Sequence, residues 1–257
     1  MTIESIFRVD GKTALITGAS SGLGAHFAHV LGRAGARVVV AARRVDRLDA
    51  LVAELQRQNV EACALALDVT DAHSIKICLD TAFSTYGAID ILVNNAGAGI
   101  AKAFFDQTEA DYDAVVDVNL KGAFFVAQET ARRMVAANVK GSIINIASIV
   151  GERQSRRIAP YAMSKAGVVQ MTKIMALELA RQGIRVNAIE PGYFITEINQ
   201  DNLVGDVLEK LLKTIPTNRI GELPDLDGPL LLLASEASRH MTGATLAVDG
   251  GHLVSQL

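Results

Sequence analysis

The chain has 257 residues, half of them hydrophobic, 21% charged and none of them tryptophan, with a formal charge of −3 at pH 7. That composition can bury a sizeable core, which excludes a disordered chain and a disulfide-stapled miniprotein. The near balance of Lys and Arg against Asp and Glu gives no global positive field for nucleic acid or an anionic membrane, so a small molecule is the expected partner.

In chain order, the first 13 residues lack the basic flank and apolar run of a targeting segment. The first predicted strand, Thr13–Thr17, leads directly into Thr17-Gly18-Ala19-Ser20-Ser21-Gly22-Leu23-Gly24, which opens a helix near 22–34. Gly18 permits a tight turn, Gly22 lets backbone approach a pyrophosphate, and Gly24 lets the helix lie against the sheet. Ser20 and Ser21 add hydroxyl donors, and the helix N-terminus adds unpaired N–H groups and partial positive charge. A glycine triplet alone fits an unliganded turn equally well; its place in the first β-α-β unit favours a dinucleotide.

The second strand, Arg37–Ala42, ends at Ala42-Arg43-Arg44. An acidic residue there would bond a ribose 2′-hydroxyl, whereas guanidinium groups suit a 2′-phosphate, so NADP(H) is expected over NAD(H). Arg43, nearest the strand end, is the preferred contact and Arg44 the second. Alternatively, both arginines form the solvated start of a helix near 45–58 and pair with Asp46 and Asp49. A third strand, Ala62–Asp68, precedes a helix near 71–86; Cys63 and Cys78 have no paired or metal-like spacing, so no metal is expected and a reducing compartment is.

Strands then follow at Ile89–Asn94, Ser142–Ser148, Arg185–Glu190 and Thr245–Asp249, with helices near 119–137, 160–182 and 225–236. Strands apolar throughout and separated by helices imply one parallel sheet covered on both faces, a doubly wound α/β fold running through residues 1–257 as one domain. The segment from Tyr193 to Pro216 breaks the alternation and reads as an inserted arm of the kind that borders substrate sites. The tightest apolar run, Leu230–Ala234, is far too short to cross a bilayer, so a cytoplasmic protein is expected.

Tyr161 and Lys165 lie four apart at the start of a predicted helix and so share a face. A nearby cation lowers a phenol's pKa, and Tyr161 could then exchange a proton with an alcohol or ketone oxygen. The spacing alone is common on helix surfaces. Ser148, however, ends an apolar strand at the carboxyl edge, where open α/β sheets bind ligands, and its hydroxyl could donate to a carbonyl oxygen.

Taken together, Thr17-Gly18 through Gly24, Asp68-Val69, Asn94-Asn95-Ala96-Gly97, Asn119, Ser148, Tyr161 with Lys165, Pro191-Gly192 with Thr196, and Asp249-Gly250-Gly251 resemble the classical short-chain dehydrogenase/reductase family over almost the whole chain. The resemblance implies a Rossmann-type sheet of about seven strands. It implies that Asp68 and Val69 contact adenine, unless Asp68 only caps the helix starting near Asp71. Asn95, Ala96 and Gly97 would pass the cofactor ribose, and Asn94 would brace the sheet. Lys165 would also bond the nicotinamide ribose, and Asn119 would hold a water of the proton relay, unless it merely caps or kinks its helix. Pro191, Gly192, Phe194 and Thr196 would face the nicotinamide carboxamide, with Phe194 acting through its backbone.

The activity so implied is hydride exchange between NADP(H) and a ketone or secondary alcohol, with Asn119, Ser148, Tyr161 and Lys165 as catalytic residues. Alternatives are a 3-oxoacyl thioester reductase, an NAD-dependent alcohol dehydrogenase and, less in keeping with an intact proton relay, a non-catalytic dinucleotide sensor. An epimerase or dehydratase of the extended relatives is disfavoured by the short chain. Pocket walls are expected from Ala98–Phe105, Ile149, Val150 and the arm. The family implies a homotetramer built from the helices near 119–137 and 160–182 and from the last strand with its tail, His252–Leu257; a dimer would pattern similarly.

Two features depart from the family. Glu190 stands where a small or uncharged residue is common; it either bends substrate choice or meets solvent, and solvent is favoured. Arg153, Arg156 and Arg157 lie between Ser148 and Tyr161, where they would attract an anionic substrate, form a solvated rim or pair across a subunit contact.

Overall fold

The computed structural model describes residues 3–197 and 204–255. Its elements run α1 (Ile3–Ile6), β1 (Thr13–Thr17), α2 (Gly22–Arg33), β2 (Arg37–Ala42), α3 (Val45–Arg57), β3 (Ala62–Ala66), α4 (Ala72–Tyr86) and β4 (Ile91–Asn94), then α5 (Glu109–Val116), α6 (Ala123–Ala136), β5 (Ser142–Ile146), α7 (Ala159–Leu179), β6 (Arg185–Pro191), α8 (Gly205–Leu212), α9 (Asp227–Ala234) and β7 (Thr245–Val248). The strands form one seven-stranded parallel sheet in the order β3-β2-β1-β4-β5-β6-β7, the doubly wound Rossmann arrangement.

The all-apolar strands are explained by cores on both sheet faces. On one face Ile16, Val38, Val40, Val93 and Ile144 pack against Phe27 and Leu31 of α2, Leu48 and Leu55 of α3, and Leu230 and Leu233 of α9. On the other, Leu15, Val39, Leu92, Ile143 and Val186 meet Ile75 and Leu79 of α4, Val126 and Met134 of α6, and Val168 and Met175 of α7. Successive strand residues point to opposite faces, so both sets must be apolar. Between β4 and β5, Asn94 Nδ2 donates to Ala123 O at 2.7 Å and Asn145 Oδ1 at 3.2 Å, and Asn145 Nδ2 donates to Thr172 Oγ1 at 2.9 Å. This buried polar chain braces the centre of the sheet as the sequence implied for Asn94.

Four strands are shorter than expected, β7 by its last residue, since it ends at Val248. β3 stops at Ala66 because its partner β2 stops at Ala42, and β5 stops at Ile146, opposite Ile189 of β6. β4 begins at Ile91 because the Asp90 carboxylate accepts the Thr13 N–H at 2.9 Å just before the ladder starts. The helix expected near 119–137 begins as a π-helical stretch, Asp117–Gly122, before α6. α1, α5 and α8 were not anticipated. α5 carries a capping box, in which Thr108 Oγ1 accepts the Asp111 N–H at 3.2 Å and Asp111 Oδ2 accepts the Thr108 N–H at 3.0 Å. α8 lies within the expected arm, of which residues 198–203 fall outside the described residues, as do residues 256–257 of the tail. Among the described residues no helix is long and apolar enough to cross a membrane.

Candidate active site

The strand order reverses beside β1, whose neighbours are β2 and β4, and the crevice at their carboxyl ends is where such sheets bind ligands. The glycine loop leaves β1 there. Gly18 has φ of +66°, and a Cβ on it would lie 2.7 Å from Ala96 Cα. A Cβ on Gly24 would lie 2.5 Å from Gly18 O and 2.6 Å from Asn95 Nδ2. Both glycines are therefore fixed by close backbone approach, while Gly22 has φ of +56°. Thr17, which has no individual role in the sequence reading, clamps the two loops together: its Oγ1 accepts the N–H groups of Asn95 and Ala96, each at 3.0 Å, and its carbonyl accepts Asn95 Nδ2 at 2.9 Å. A threonine at the carboxyl end of β1 facing Asn95-Ala96 is the signal that could have revealed it. Leu23 lies in the first turn of α2, packed partly against the core.

Of the two arginines beyond β2, Arg44 rather than Arg43 reaches this loop. Its Nε and Nη2 donate to Ser20 Oγ at 3.1 and 2.8 Å, and Nη2 donates to Ser21 Oγ at 2.8 Å. Arg43 is exposed and acts electrostatically on Asp68. Among the described residues, neither Asp46 nor Asp49 forms an ion pair with them; the carboxylate that does approach, 3.6 Å from Arg44 Nη1, belongs to Glu197. Which of the two arginines turns to the serines depends on how the chain enters α3.

Asp68 does not cap α4. Asp71 does, accepting the His73 N–H at 2.9 Å. Asp68 Oδ1 accepts the backbone N–H and the hydroxyl of Thr70 at 2.9 and 2.7 Å, bonds that hold its carboxyl below the usual range. Val69 is buried, and its carbonyl would lie 2.7 Å from a Cβ on Gly122.

Ser148, just beyond β5, is buried and accepts the Val150 N–H at 3.4 Å. The first turns of α7 carry Tyr161 and Lys165. Lys165 is buried; its Nζ donates to Ile146 O at 2.8 Å and lies 5.6 Å from the Tyr161 ring centroid. Burial pulls the Lys165 ammonium down to about 8. Burial also pushes the Tyr161 phenol up, Ser148 opposes this through a hydrogen bond, and Tyr193 adds to the rise. The expected lowering of the Tyr161 pKa by Lys165 is thus corrected: in this structure desolvation exceeds every opposing influence, and the ammonium is held by a carbonyl.

Asn119 sits in the π-helical stretch, almost fully buried. Its Oδ1 accepts the Ala98 N–H at 2.7 Å, and its Nδ2 donates to Ala98 O at 2.9 Å and Ser164 Oγ at 3.0 Å. Ser164 Oγ donates in turn to Tyr161 O at 2.7 Å. Asn119 therefore ties the loop after Gly97 to the helix that carries Tyr161 and Lys165, and a Cβ on Gly97 would lie 3.9 Å from Lys165 Nζ. The break in helical register that this residue occupies is a common device at functional sites.

Pro191 ends β6, and Gly192 packs so closely on Asp249 that a Cβ would lie 2.8 Å from its Cα. Phe194 is buried and bridges to Gly221, and the Thr196 side chain lies 3.5 Å from where a Gly22 Cβ would be. The segment after β6 thus crosses to the glycine loop.

Glu190 does not meet solvent. It is 2% exposed, its Oε1 has no hydrogen-bond partner among the described residues, and burial raises its carboxyl to about 7; Glu152 adds to the rise, Lys173 opposes it and Asp249 adds further. β6 is an inner strand, and Glu190 is preceded on it by buried Asn187, Ala188 and Ile189. The arginine cluster divides: Arg153 Nη1 bonds His252 O and, at 2.9 Å, Ser255 Oγ, fastening the tail, whereas Arg156 and Arg157 are exposed. Arg157, at φ of +70°, accepts the Lys102 N–H at 2.9 Å. In the expected pocket wall Ile149 is buried and Val150 half-buried, while Phe104 and Phe105 project 76% and 97% exposed.

Comparison with known proteins gives a consistent result. A family model described as short chain dehydrogenase matches residues 12–204. The chain is 38% identical over 247 residues to the 3-oxoacyl-(acyl-carrier-protein) reductase FabG of Thermotoga maritima, covering 96% of this chain and 100% of that protein. It is 38% identical over 258 residues to a sorbitol dehydrogenase of Cereibacter sphaeroides, with 96% and 100% covered. A crystal structure of a gluconate 5-dehydrogenase from Burkholderia cenocepacia, in complex with NADP and tartrate, superposes with a TM-score of 0.95 at 38% identity, covering 99% of this chain and 100% of that one.

Proposed function

Because the chain belongs to the short-chain dehydrogenase family, we propose that it is an NADP(H)-dependent oxidoreductase interconverting a ketone and a secondary alcohol. The observation that carries this reading is the convergence of Ser148, Tyr161 and Lys165 at the carboxyl edge of the sheet, next to a crevice in which a Cβ on Gly18 or Gly24 would clash. The crevice fits the cofactor. The close-packed glycine turn exposes backbone at the N-terminus of α2 for a pyrophosphate, and Ser20, Ser21 and Arg44 form a donor cluster suited to a 2′-phosphate, with Arg43 beside it. Asp68 and Val69 would border the adenine, Asn95, Ala96 and Gly97 the ribose, and Pro191, Gly192, Phe194 and Thr196 the nicotinamide. A bound NADPH supplies the hydride.

The chain's own part is positioning and proton handling. Ser148 directs its hydroxyl to the carbonyl oxygen, and Tyr161, whose phenol burial keeps protonated, donates to the oxygen as charge develops. Lys165, still mostly protonated at neutral pH, stabilises the phenolate left behind, and Asn119 holds the loop at Ala98 and the helix at Ser164 in fixed relation. The reverse sequence takes the proton from an alcohol.

A 3-oxoacyl thioester is a second reading of the substrate, supported by the likeness to the Thermotoga enzyme. With Arg153 committed to the tail, its anionic carrier would meet only Arg156 and Arg157 of that cluster. We also assign a homotetramer, supported by the apolar side chains left exposed on α6 (Phe124, Phe125) and α7 (Ile174, Leu177); light scattering of the purified chain tests it.

The decisive experiment compares Tyr161→Phe with the wild type on a panel of ketones, diketones and acyl thioesters. Loss of turnover by about a thousandfold is expected, with NADPH binding within about twofold. Near-normal turnover would refute the assignment.

A further inference from the structure

The arginines at the head of α3 already face an anion supplied by the chain itself. Glu197, one residue beyond Thr196, accepts hydrogen bonds from Arg47 Nη1 at 3.0 Å (Oε1) and 2.7 Å (Oε2), and its Oε2 lies 3.6 Å from Arg44 Nη1. The partners are 150 residues apart in sequence, so this is a tertiary contact between the segment after β6 and the start of α3. The Thr196 side chain lies against Gly22, which places the contact across the mouth of the crevice. Arg44 turns its other nitrogens to Ser20 and Ser21, so one guanidinium is shared between the donor cluster and Glu197. Arg47, by hydrogen bond and by charge, and then Arg44 hold the Glu197 carboxyl below its usual range, so it is ionised at neutral pH.

We propose that Glu197 is a specificity-determining residue whose carboxylate competes with the cofactor's 2′-phosphate for Arg44 and so narrows the preference for NADPH over NADH. This rests on the reading of Arg43 and Arg44 as the phosphate contacts. A phosphate seated at Ser20 and Arg44 brings a second anion close to Glu197 and takes over a guanidinium that Glu197 shares. The neutral 2′-hydroxyl of NADH does neither, so the carboxylate penalises one cofactor and not the other. Arg47 keeps Glu197 paired when Arg44 is surrendered, which holds the penalty to that of a half-exposed, screened charge.

Dissociation constants of NADPH and NADH, read from the fluorescence of the reduced nicotinamide on the full chain, test this with Glu197→Gln, Glu197→Asp, Arg43→Ala and Arg44→Ala. Glu197→Gln is expected to tighten NADPH about threefold or more and leave NADH within about twofold, with the gain shrinking in about 0.5 M salt. Glu197→Asp, which keeps the charge, stays near wild type. A purely structural role for Glu197 would move both cofactors together, and that result, or weaker NADPH binding, overturns the proposal. If Arg44→Ala collapses the NADPH preference while Glu197→Gln leaves it unchanged, Glu197 alone is refuted. If the preference survives both arginine substitutions, the phosphate reading falls and the role of Glu197 with it.

Discussion

The half of the site on β1 and β2 and the half on β5 to β7 are built in different ways. Around the glycine loop the constraints are mainly steric: Gly18 and Gly24 are closed in by backbone atoms, and hydrogen bonds between Thr17 and Asn95 tie two adjacent strand ends together. In the other half the constraints are carried by side chains, as from Arg153 to the tail, and Glu197 reaches back across the crevice to Arg47. The first half can be disabled by a single added methyl group. The second depends on charges and hydrogen bonds whose strength varies with pH and salt, and so offers ways to tune the site without dismantling it.

The comparison predicts a ranking of substitutions. Gly24→Val should have the largest effect, because its Cβ would fall 2.5 Å from a carbonyl oxygen; a loss on the order of 3 kcal/mol or more in cofactor binding or stability is expected, read by calorimetry with NADPH. A tolerated valine would show the glycine loop to be as adaptable as the other half.

Glu190→Gln comes next and carries a pH signature. Burial raises the Glu190 carboxyl from 4.5 to about 7, so the folded chain holds this proton more tightly than the unfolded one. The stability associated with it is full below pH 4.5 and is lost as pH rises through about 7, by up to about 3 kcal/mol. Thermal unfolding across pH 5 to 9 should therefore show the glutamine variant gaining on the wild type as pH increases. Parallel curves would mean that Glu190 ionises freely in place.

Arg153→Ala should cost about 1–2 kcal/mol and speed amide exchange at residues 253–255, without changing KM for a thioester more than for a plain ketone. A selective rise in the thioester KM would return Arg153 to the substrate. The smallest effect is expected for Thr108→Ala, about 1 kcal/mol from the lost cap of α5, seen as a lower melting temperature with cofactor affinity unchanged.

The same division explains what could be read in advance. The strands, the glycine loop and the Tyr161–Lys165 spacing are periodic or contiguous patterns, and they stand where the sequence predicted them. The cap of α5 is also legible, since Thr108 and Asp111 have the spacing of a capping box. Other features depend on how elements meet. Whether Arg43 or Arg44 reaches the serines is decided by the turn into α3, and the burial of Glu190 by its place on an inner strand. The lowering of the Tyr161 pKa by Lys165 was inferred from spacing alone, yet spacing says nothing of the Ile146 carbonyl that holds the ammonium or of the depth at which the phenol lies.

The polar chain Asn94–Asn145–Thr172 acts as a gauge between the two halves. β4 carries the residues leading to Asn95 and Ala96, β5 those leading to Ser148, and the Asn94 to Asn145 bond sits one residue before the first pair and three before Ser148. Sliding one strand along the other by a single residue would displace Ser148 by about 3.3 Å and leave two buried amides without partners. In the proposed reaction, the distance from the hydride-donating carbon of the cofactor to the carbonyl carbon, where small misplacements are costly, would thus be calibrated in the middle of the sheet, away from the residues proposed to meet substrate.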